Sequence, residues 1–414
     1  MTERTRLEGA IDAASGLLHD GLSTIEDVHA AISRKPFAAL RVAPGVRSVS
    51  EGVRVLHDGI TFGIYGGIRA GIGAVVLAAK AVAAATSIED REPRAGSTAD
   101  LVVAAINGVA GDRLERDRSP LAVKMSLRHG DATIAAQPEA MKDAFPDASP
   151  RLALFVHGLA GNEATWRFYS REHYGNDDTT YGSRLRDDLG YTPLYVRYNS
   201  GLHISENGAR LADLLDRVVA AWPVAVEEII LVGHSMGGLV VRSACHRAQH
   251  DDLGWARPVR HVFFLGSPHR GAPLEKFGNV ATWALDRFDV SRALATFINK
   301  RSAAIKDLRF GALLDEHWQG TDPDALLDDR TGAVRSLEGA NHYFVAATLT
   351  QDPRHPLGVA IGDWLVREAS ATPKRRWRHL RIPFAAGRHF GPMTHMQLLN
   401  HPDVYTQMRR WLEA

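Results

Sequence analysis

The sequence has little of what marks several common classes of protein. It contains one cysteine, Cys245, among 414 residues, so no disulfide can form within the chain. A lack of disulfides favours a reducing compartment, and we expect a cytoplasmic protein. Lysine and arginine number 49 against 48 aspartate and glutamate, which leaves a net charge of +1. This balance gives no sign of the basic surface that binds nucleic acid, and no Cys/His cluster has the spacing of a zinc site.

The sequence also lacks a long uninterrupted apolar run. The apolar stretch 59–85 is divided by Arg69 and Lys80 into pieces of about ten residues, whereas a spanning helix needs about 20. The charged N-terminus has no apolar segment of the secretory type. Four glycines within the stretch recur every four residues, which would give a helix a smooth stripe for close packing; they are Gly59, Gly63, Gly67 and Gly71. We expect a helical hairpin packed on the rest of the chain or on a partner, with peripheral membrane association as the alternative.

A change of pattern near residue 118 predicts two parts. Residues 1–118 are rich in Ala, Gly, Val and Ile and predict an N-terminal helical extension. From 119 to 414, short apolar runs alternate with amphipathic stretches, which predicts βα units around a mostly parallel sheet. The predicted strands are 125–127, 132–135, 152–156, 194–198, 229–232, 261–265, 343–349 and 378–384, and the predicted helices include 205–222, 236–247 and 402–412. The long segment 272–340 between two strands predicts a lid or cap insertion.

The most specific motif is the sequence Gly233-His234-Ser235-Met236-Gly237, a G-x-S-x-G pattern. It lies between a predicted strand and a predicted helix, where this pattern forms a nucleophile elbow. Such a turn is so sharp that a Cβ at Gly233 or Gly237 would push the strand and the helix apart. Ser235 is then held at the tip in a strained conformation with its Oγ exposed. Ser235 is the predicted nucleophile.

A serine nucleophile needs a base and an acid that orients the base, and in this arrangement the acid precedes the histidine in the chain. The predicted acid is Asp363, which follows the strand 343–349 in a loop where Gly362 lets the backbone turn. The alternative acids are Asp352, Asp328 and Asp329.

Three histidines follow the strand predicted at 378–384 and are candidates for the base. His395 lies on the loop between that strand and the final helix, where the base of such a site belongs. His389 is close to the strand end, and His401 precedes Pro402 in a position typical of a helix cap. The predicted base is therefore His395.

Two backbone amides are predicted to stabilise the oxyanion of a tetrahedral intermediate. One is the amide of Met236, which directly follows the nucleophile. The other is the amide of Leu159, after the strand 152–156, where we expect Gly158 to let the backbone turn. His157 is expected to hold this loop by hydrogen bonds and not to act as a base.

These residues resemble the α/β-hydrolase superfamily, in its lipase and esterase branch. The resemblance covers roughly residues 120–414 and rests on His157-Gly158, the elbow, Gly362-Asp363 and His395. A fifth segment, GSPHRGAP at 266–273, is similar to a turn of triacylglycerol lipases and of relatives of the GPI inositol-deacylase. The acid loop departs from the family pattern, Gly-Asp-Gly-[LIV]-Val-Pro, because Trp364 and Arg367 replace its second Gly and its Pro.

The resemblance implies an α/β-hydrolase fold: a mostly parallel sheet flanked by helices, with a lid or cap insertion and here an N-terminal helical extension. It also implies hydrolysis of a small-molecule or lipid carboxylic ester through an acyl-enzyme, with no cofactor. Some lipases bind a structural Ca²⁺, but this sequence has no compelling acidic cluster, and we expect no metal. Two alternatives remain: a thioesterase or acyltransferase with the same triad, and a hydrolase-fold protein with vestigial activity that binds a membrane or a partner. The oligomeric state stays open.

Overall fold

A computed structural model describes residues 94–269, 302–321, 334–348, 350 and 382–414. Residues 103–277 and 301–414 form one compact unit that contains the sheet, and residues 1–102 with 278–300 form a second unit. The glycine stripe at 59–71 and most of the predicted lid at 272–340 lie outside the described residues. The predicted domain boundary at residue 118 therefore remains a prediction.

One sheet organises the described part of the chain. Its strands are β1 (Ser126–His129), β2 (Ala132–Ile134), β3 (Arg151–Val156), β4 (Thr192–Arg197), β5 (Glu228–His234), β6 (Val259–Leu265), β7 (Asn341–Ala347) and β8 (Phe384–Phe390). They lie in the order β2-β1-β4-β3-β5-β6-β7-β8. The pairs β1–β2 and β1–β4 are antiparallel, and every pair from β4 to β8 is parallel. The predicted opening hairpin and the mostly parallel sheet are both confirmed.

Helices connect the strands and cover the sheet. They are α1 (Thr98–Arg116), α2 (Pro138–Ala144), α3 (Ser170–Tyr174), α4 (Tyr181–Leu189), α5 (Ile204–Ala221), α6 (Met236–His250), α7 (Ala303–Phe310) and α8 (Pro402–Leu412). Helix α5 forms where the apolar spacing predicts it and buries Leu211, Leu214, Leu215 and Val218. Each such side chain contributes roughly 1.5–3 kcal/mol when it is fully removed from water.

The central strand β5 is buried on both faces, as expected of a parallel strand covered by helices. Ile229 and Leu231 belong to an apolar core that also contains side chains of α5 and α6. Ile230 and Val232 alternate with them and belong to a second core, shared with α4 and α8. Strand β5 is thus fixed on both sides, which gives the residues at its end a rigid support.

The position of the last strand corrects a prediction. The sequence predicts it at 378–384, but β8 runs from Phe384 to Phe390 and pairs with β7. Its apolar pattern is weak because β8 lies at the sheet edge, mostly half-buried or exposed, with Gly387 and Arg388 in its middle. The stronger strand signal in the sequence was the alternation of Leu380, Ile382 and Phe384 with other residues. As a consequence, His389 lies within the strand and not after it.

Two further observations bear on the sequence predictions. Cys245 lies in α6 and is buried. Across the described residues, no helix combines the length and the apolar character that crossing a membrane requires.

Candidate active site

Ser235 occupies the turn between β5 and α6. Its backbone has a conformation that residues other than glycine rarely adopt. Its φ is 52° and its ψ is −125°. Such a conformation costs on the order of 1–3 kcal/mol and persists only where the surroundings enforce it. The Ser235 amide donates to the Leu265 carbonyl at 2.8 Å, and the Ser235 carbonyl accepts from the Gly238 amide at 3.1 Å. These two bonds tie the turn to the end of β6 and to the first turn of α6.

The glycines around Ser235 permit close backbone approach. A Cβ on Gly233 would lie 2.4 Å from the Gly238 Cα, so the strand and the helix could not meet as they do. A Cβ on Gly237 would lie 2.2 Å from the carbonyl oxygen of Val156, at the end of β3. The steric reason given is confirmed for Gly233. For Gly237 it is corrected, because a Cβ there would meet the end of β3 and not the strand β5 that precedes the serine.

His395 lies beside this elbow. Its side chain is buried, and its ring centroid is 4.7 Å from that of His234. A Cβ on Gly266 would lie 2.9 Å from the His395 Cε1, so the imidazole rests on the backbone just after Leu265. His234 Nε2 lies 3.1 Å from the His395 carbonyl oxygen. Burial, the largest effect, lowers the pKa of His234 well below its usual range, so the neutral ring donates this bond.

The other candidate residues have different surroundings. His389 projects from β8, and its Nε2 lies 2.9 Å from the Thr348 Oγ. His401 caps α8 by accepting the Asp403 amide, which confirms the predicted capping position. The candidate acids all lie outside the described residues: Asp363, Asp352, Asp328 and Asp329. Of the three histidines, His395 is thus the one for which the structure records contacts with His234 and Gly266 of the elbow region.

A tight turn at residues 158–161 follows β3 and faces Ser235. We name it the oxyanion turn, after the predicted role of its Leu159 amide. The Gly161 amide donates to the Gly158 carbonyl at 3.3 Å. The expected reason for Gly158 was a backbone turn, and this is corrected: the positive φ, 59°, belongs to Ala160. Gly158 is needed because a Cβ there would lie 3.0 Å from the Ser235 Cβ. The glycine allows the turn to approach the serine closely.

The peptide between Gly158 and Leu159 is held on its carbonyl side. The Gly158 oxygen accepts from the Gly161 amide and lies 2.8 Å from the His157 Nδ1. Because a trans peptide is planar, fixing this carbonyl also fixes the opposite direction of the Leu159 N–H. The amide of Met236 belongs to the first residue of α6, where N–H groups have no partner within the helix.

His157 supports this peptide as a neutral ring. Burial, the largest effect, lowers the pKa of His157 to about 4. A neutral imidazole with its proton on Nδ1 donates to the Gly158 carbonyl. The ring also stacks on Tyr198 at 4.3 Å, and the Tyr198 hydroxyl donates to the His157 carbonyl at 2.7 Å. These contacts agree with a role in holding the loop.

The segment that contains both the oxyanion turn and the elbow matches a known family. Residues 148–283 match the family model of the PGAP1-like alpha/beta domain. The match and the order of the strands show an α/β-hydrolase fold. No curated protein sequence matches this chain.

Solved structures similar to this chain are lipases and esterases from microorganisms. The mature lipase of Bacillus licheniformis has 21% identity, covers 63% of this chain and 91% of its own, and has a TM-score of 0.39. A lipase-esterase related protein of Clostridium acetobutylicum has 14% identity, covers 63% and 94%, and has a TM-score of 0.35. An esterase of Pyrococcus furiosus has 13% identity, covers 64% and 82%, and has a TM-score of 0.37.

Sequence reasoning missed a buried ion cluster next to the oxyanion turn. Glu163 accepts from Arg128 Nε at 3.2 Å and from Arg197 Nε at 2.8 Å, and all three side chains are buried. Burial acts to raise the pKa of Glu163, but the hydrogen bond and charge of Arg197, aided by Arg128, hold it below its usual range. The available signal was one arginine on a predicted strand, Arg197, and one directly after another, Arg128.

The segment Asn199-Ser200-Gly201, directly after β4, was also missed. All three residues are buried, and Ser200 Oγ accepts the Ala160 amide of the oxyanion turn at 2.9 Å. Small polar residues at the carboxyl end of a parallel strand were the available signal. As for metals, the described residues bring no three potential ligands together.

Proposed function

We propose that this protein is a serine hydrolase that cleaves carboxylic esters through an acyl-enzyme formed on Ser235. The observation that carries the proposal is the conformation of Ser235. A φ of 52° and a ψ of −125° at a strand-to-helix turn, enclosed by glycines, is a strained arrangement that serves to present a nucleophile. The buried imidazole of His395 beside the same turn supports the proposal.

In the proposed reaction, the Ser235 Oγ attacks the ester carbonyl carbon while His395 removes the hydroxyl proton. The carbonyl oxygen becomes an oxyanion, which accepts hydrogen bonds from the amides of Leu159 and Met236. Collapse of this intermediate breaks the ester C–O bond, and His395 returns the proton to the leaving alcohol. A water molecule, deprotonated by His395, then attacks the acyl-enzyme and releases the carboxylic acid. Asp363 is the proposed acid that orients His395.

The fixed Gly158–Leu159 peptide supports the oxyanion step in particular. Preorganised N–H donors stabilise a developing charge because they need no reorientation during the reaction. Removing one such donor typically lowers the rate by about 10²–10³. The proposed substrate is a small-molecule or lipid ester, and peripheral membrane contact through the N-terminal helices is a further proposal for the lipid case.

The test is hydrolysis of p-nitrophenyl esters, from acetate to palmitate, by the wild type and by Ser235→Ala. We expect a wild-type rate that falls to background in the variant, with an optimum chain length that separates an esterase from a lipase. Ser243→Ala is a control with the same chemical change, because its buried hydroxyl bonds the Leu313 carbonyl and not the elbow. The control should lose far less activity than Ser235→Ala.

A complementary test reads the nucleophile without relying on a chosen ester. A fluorophosphonate should label the wild type at Ser235 with a mass increase that Ser235→Ala abolishes. Turnover that persists in Ser235→Ala would contradict the assignment of the nucleophile. Labelling at Ser235 without hydrolysis of any ester would instead favour a thioesterase or acyltransferase.

A further inference from the structure

Helix α1 precedes the strands of the hydrolase sheet, yet it contacts the oxyanion turn directly. A Cβ on Gly108 would lie 2.7 Å from the Ala160 Cβ and 2.8 Å from its Cα. Only a residue without a side chain lets the helix come this close to the turn. Ala160 is also the residue of the turn with the positive φ, 59°. A strained alanine must be held by its surroundings, and Gly108 lies against it.

A second contact holds the same residue from another direction. The buried Ser200 Oγ accepts a hydrogen bond from the Ala160 amide at 2.9 Å. Ser200 follows β4, whereas the oxyanion turn follows the adjacent strand β3. The Ala160 amide is thus hydrogen-bonded to the segment after β4, and the Ala160 side chain packs against α1.

The segment 199–201 is itself joined to α1. Asn199 Nδ2 donates to the Gly111 carbonyl at 2.9 Å, and Asn199 Oδ1 accepts the Gly201 amide at 3.1 Å. A Cβ on Gly201 would lie 2.1 Å from the Asn107 carbonyl oxygen, so here too the backbones are in direct contact. The helix and the segment after β4 therefore act on the oxyanion turn as one rigid support.

Helix α1 is held in turn by the rest of the unit. Asn107 Nδ2 donates to the Leu121 carbonyl at 2.8 Å, and its Oδ1 accepts the Val123 amide at 3.0 Å. Ser302, just before α7, donates its hydroxyl hydrogen to the Gly108 carbonyl at 2.7 Å. The position of Gly108 is therefore also held through its carbonyl group.

We propose that Ser200 and Gly108 are positioning residues that set the direction of the Leu159 amide by holding Ala160. This inference rests on the proposed function, because it assigns the Leu159 N–H to the oxyanion. Neither residue touches the substrate. Each acts through the turn, whose closing bond from the Gly161 amide fixes the Gly158 carbonyl and with it the Leu159 N–H.

The test compares variants of these two residues with matched controls. Ser200→Ala removes the acceptor of the Ala160 amide. Its control is Ser243→Ala, which also removes one buried hydroxyl, bonded to the Leu313 carbonyl at 2.8 Å and not to the turn. Gly108→Ala is paired with Gly208→Ala, another helical glycine, whose Cβ would meet the Ser243 Oγ at 2.3 Å.

We expect Ser200→Ala and Gly108→Ala to lower kcat by about 10-fold with KM changed less than about 3-fold, since the turn would be misplaced but not removed. The inhibition constant of a trifluoromethyl ketone, which forms an oxyanion on a serine, should rise by a similar factor. The two controls should lose thermal stability to a comparable extent but keep kcat within about 2-fold. A purely structural role would predict the same kcat for each variant and its control, and that result would overturn the proposal.

Hydrogen exchange read by mass spectrometry separates failure of this proposal from failure of the proposed function. A peptide covering residues 157–162 should exchange faster in Ser200→Ala than in Ser243→Ala, whether or not an ester is turned over. Unchanged exchange in that peptide refutes the positioning role. Faster exchange without any Ser235-dependent reaction would confirm the support of the turn and contradict the proposed function, and the catalytic part of this inference would be overturned with it.

Discussion

The substitution Gly237→Ala tests the elbow geometry most directly. A Cβ at this position would lie 2.2 Å from the Val156 carbonyl oxygen and 2.4 Å from that of His157. Ordinary contact begins at 3.4 Å, so α6 and the end of β3 must separate by about 1 Å. Both obstructing atoms belong to backbone, which cannot rotate away as a side chain can.

The magnitude follows from two effects. Overpacking of this kind costs about 1–3 kcal/mol, offset by up to about 1 kcal/mol from the better helix propensity of alanine. We expect a net loss of roughly 1–2 kcal/mol, which lowers Tm by about 2–8 °C for a unit of this size. The separation also moves the oxyanion turn away from Ser235. A displacement near 1 Å can lower the rate by about 10²-fold, and we expect kcat to fall by that order.

The assay is kcat on a p-nitrophenyl ester together with Tm, for Gly237→Ala and two comparison variants. At Gly254 no atom lies within 4 Å of a Cβ, so Gly254→Ala should leave both values near those of the wild type. At Gly238 a Cβ would meet the Ser267 Oγ at 2.0 Å, and this side chain can rotate away. Gly238→Ala should therefore lose less kcat than Gly237→Ala. A Gly237→Ala protein with kcat within about 3-fold of the wild type would refute the reasoning, because β3 would then not move relative to Ser235.

Two further predictions concern buried charge and pH. Glu163→Gln leaves Arg128 and Arg197 buried without their carboxylate and should lower the free energy of unfolding by about 3–5 kcal/mol. Asp177→Asn, at an exposed pair, should leave it nearly unchanged. The pKa of Glu163 is lowered in the fold, so its contribution is present above the unfolded pKa, near 4.5, and is lost as pH falls through the folded pKa. Burial lowers the pKa of His157 from 6.5 to about 4, so the free energy of unfolding should fall as pH drops from 6.5 to 4. The measurement is the midpoint of urea unfolding as a function of pH. His157→Gln should reduce this pH dependence, whereas a substitution at the exposed His250 should not.

The central strands and the elbow could be predicted because their signals are local. Strand β5 is apolar on both faces, and Gly233 answers to a steric demand within a few residues of chain. The strand β8 was placed too early because an edge strand needs no continuous apolar pattern, and the alternating apolar residues before Pro383 resembled a strand. Propensity and pattern are weakest where one side of a strand meets solvent.

The three histidines near the end of the chain show how far spacing can reach. The position of His401 directly before Pro402 is enough to predict that it caps α8, since a cap is a local arrangement. Distinguishing His389 from His395 required the true limits of β8, because a residue inside a strand and one beyond it point to different places. The structure places His389 next to Thr348 and His395 next to the elbow, which no spacing rule establishes.

The support of the oxyanion turn lay beyond sequence reasoning for a different physical reason. Gly158 was noticed because it precedes a predicted donor. The reason that a glycine is required there is the Ser235 side chain, which is far away in the sequence. The same holds for Gly108, Ser200 and Ala160, which meet only after the sheet is assembled. A strained turn has to be held from several directions, and the residues that hold it come from whichever elements happen to surround it. We therefore expect the residues that tune this site to be found at the ends of β3 and β4 and on α1, and not only in the motif around the serine.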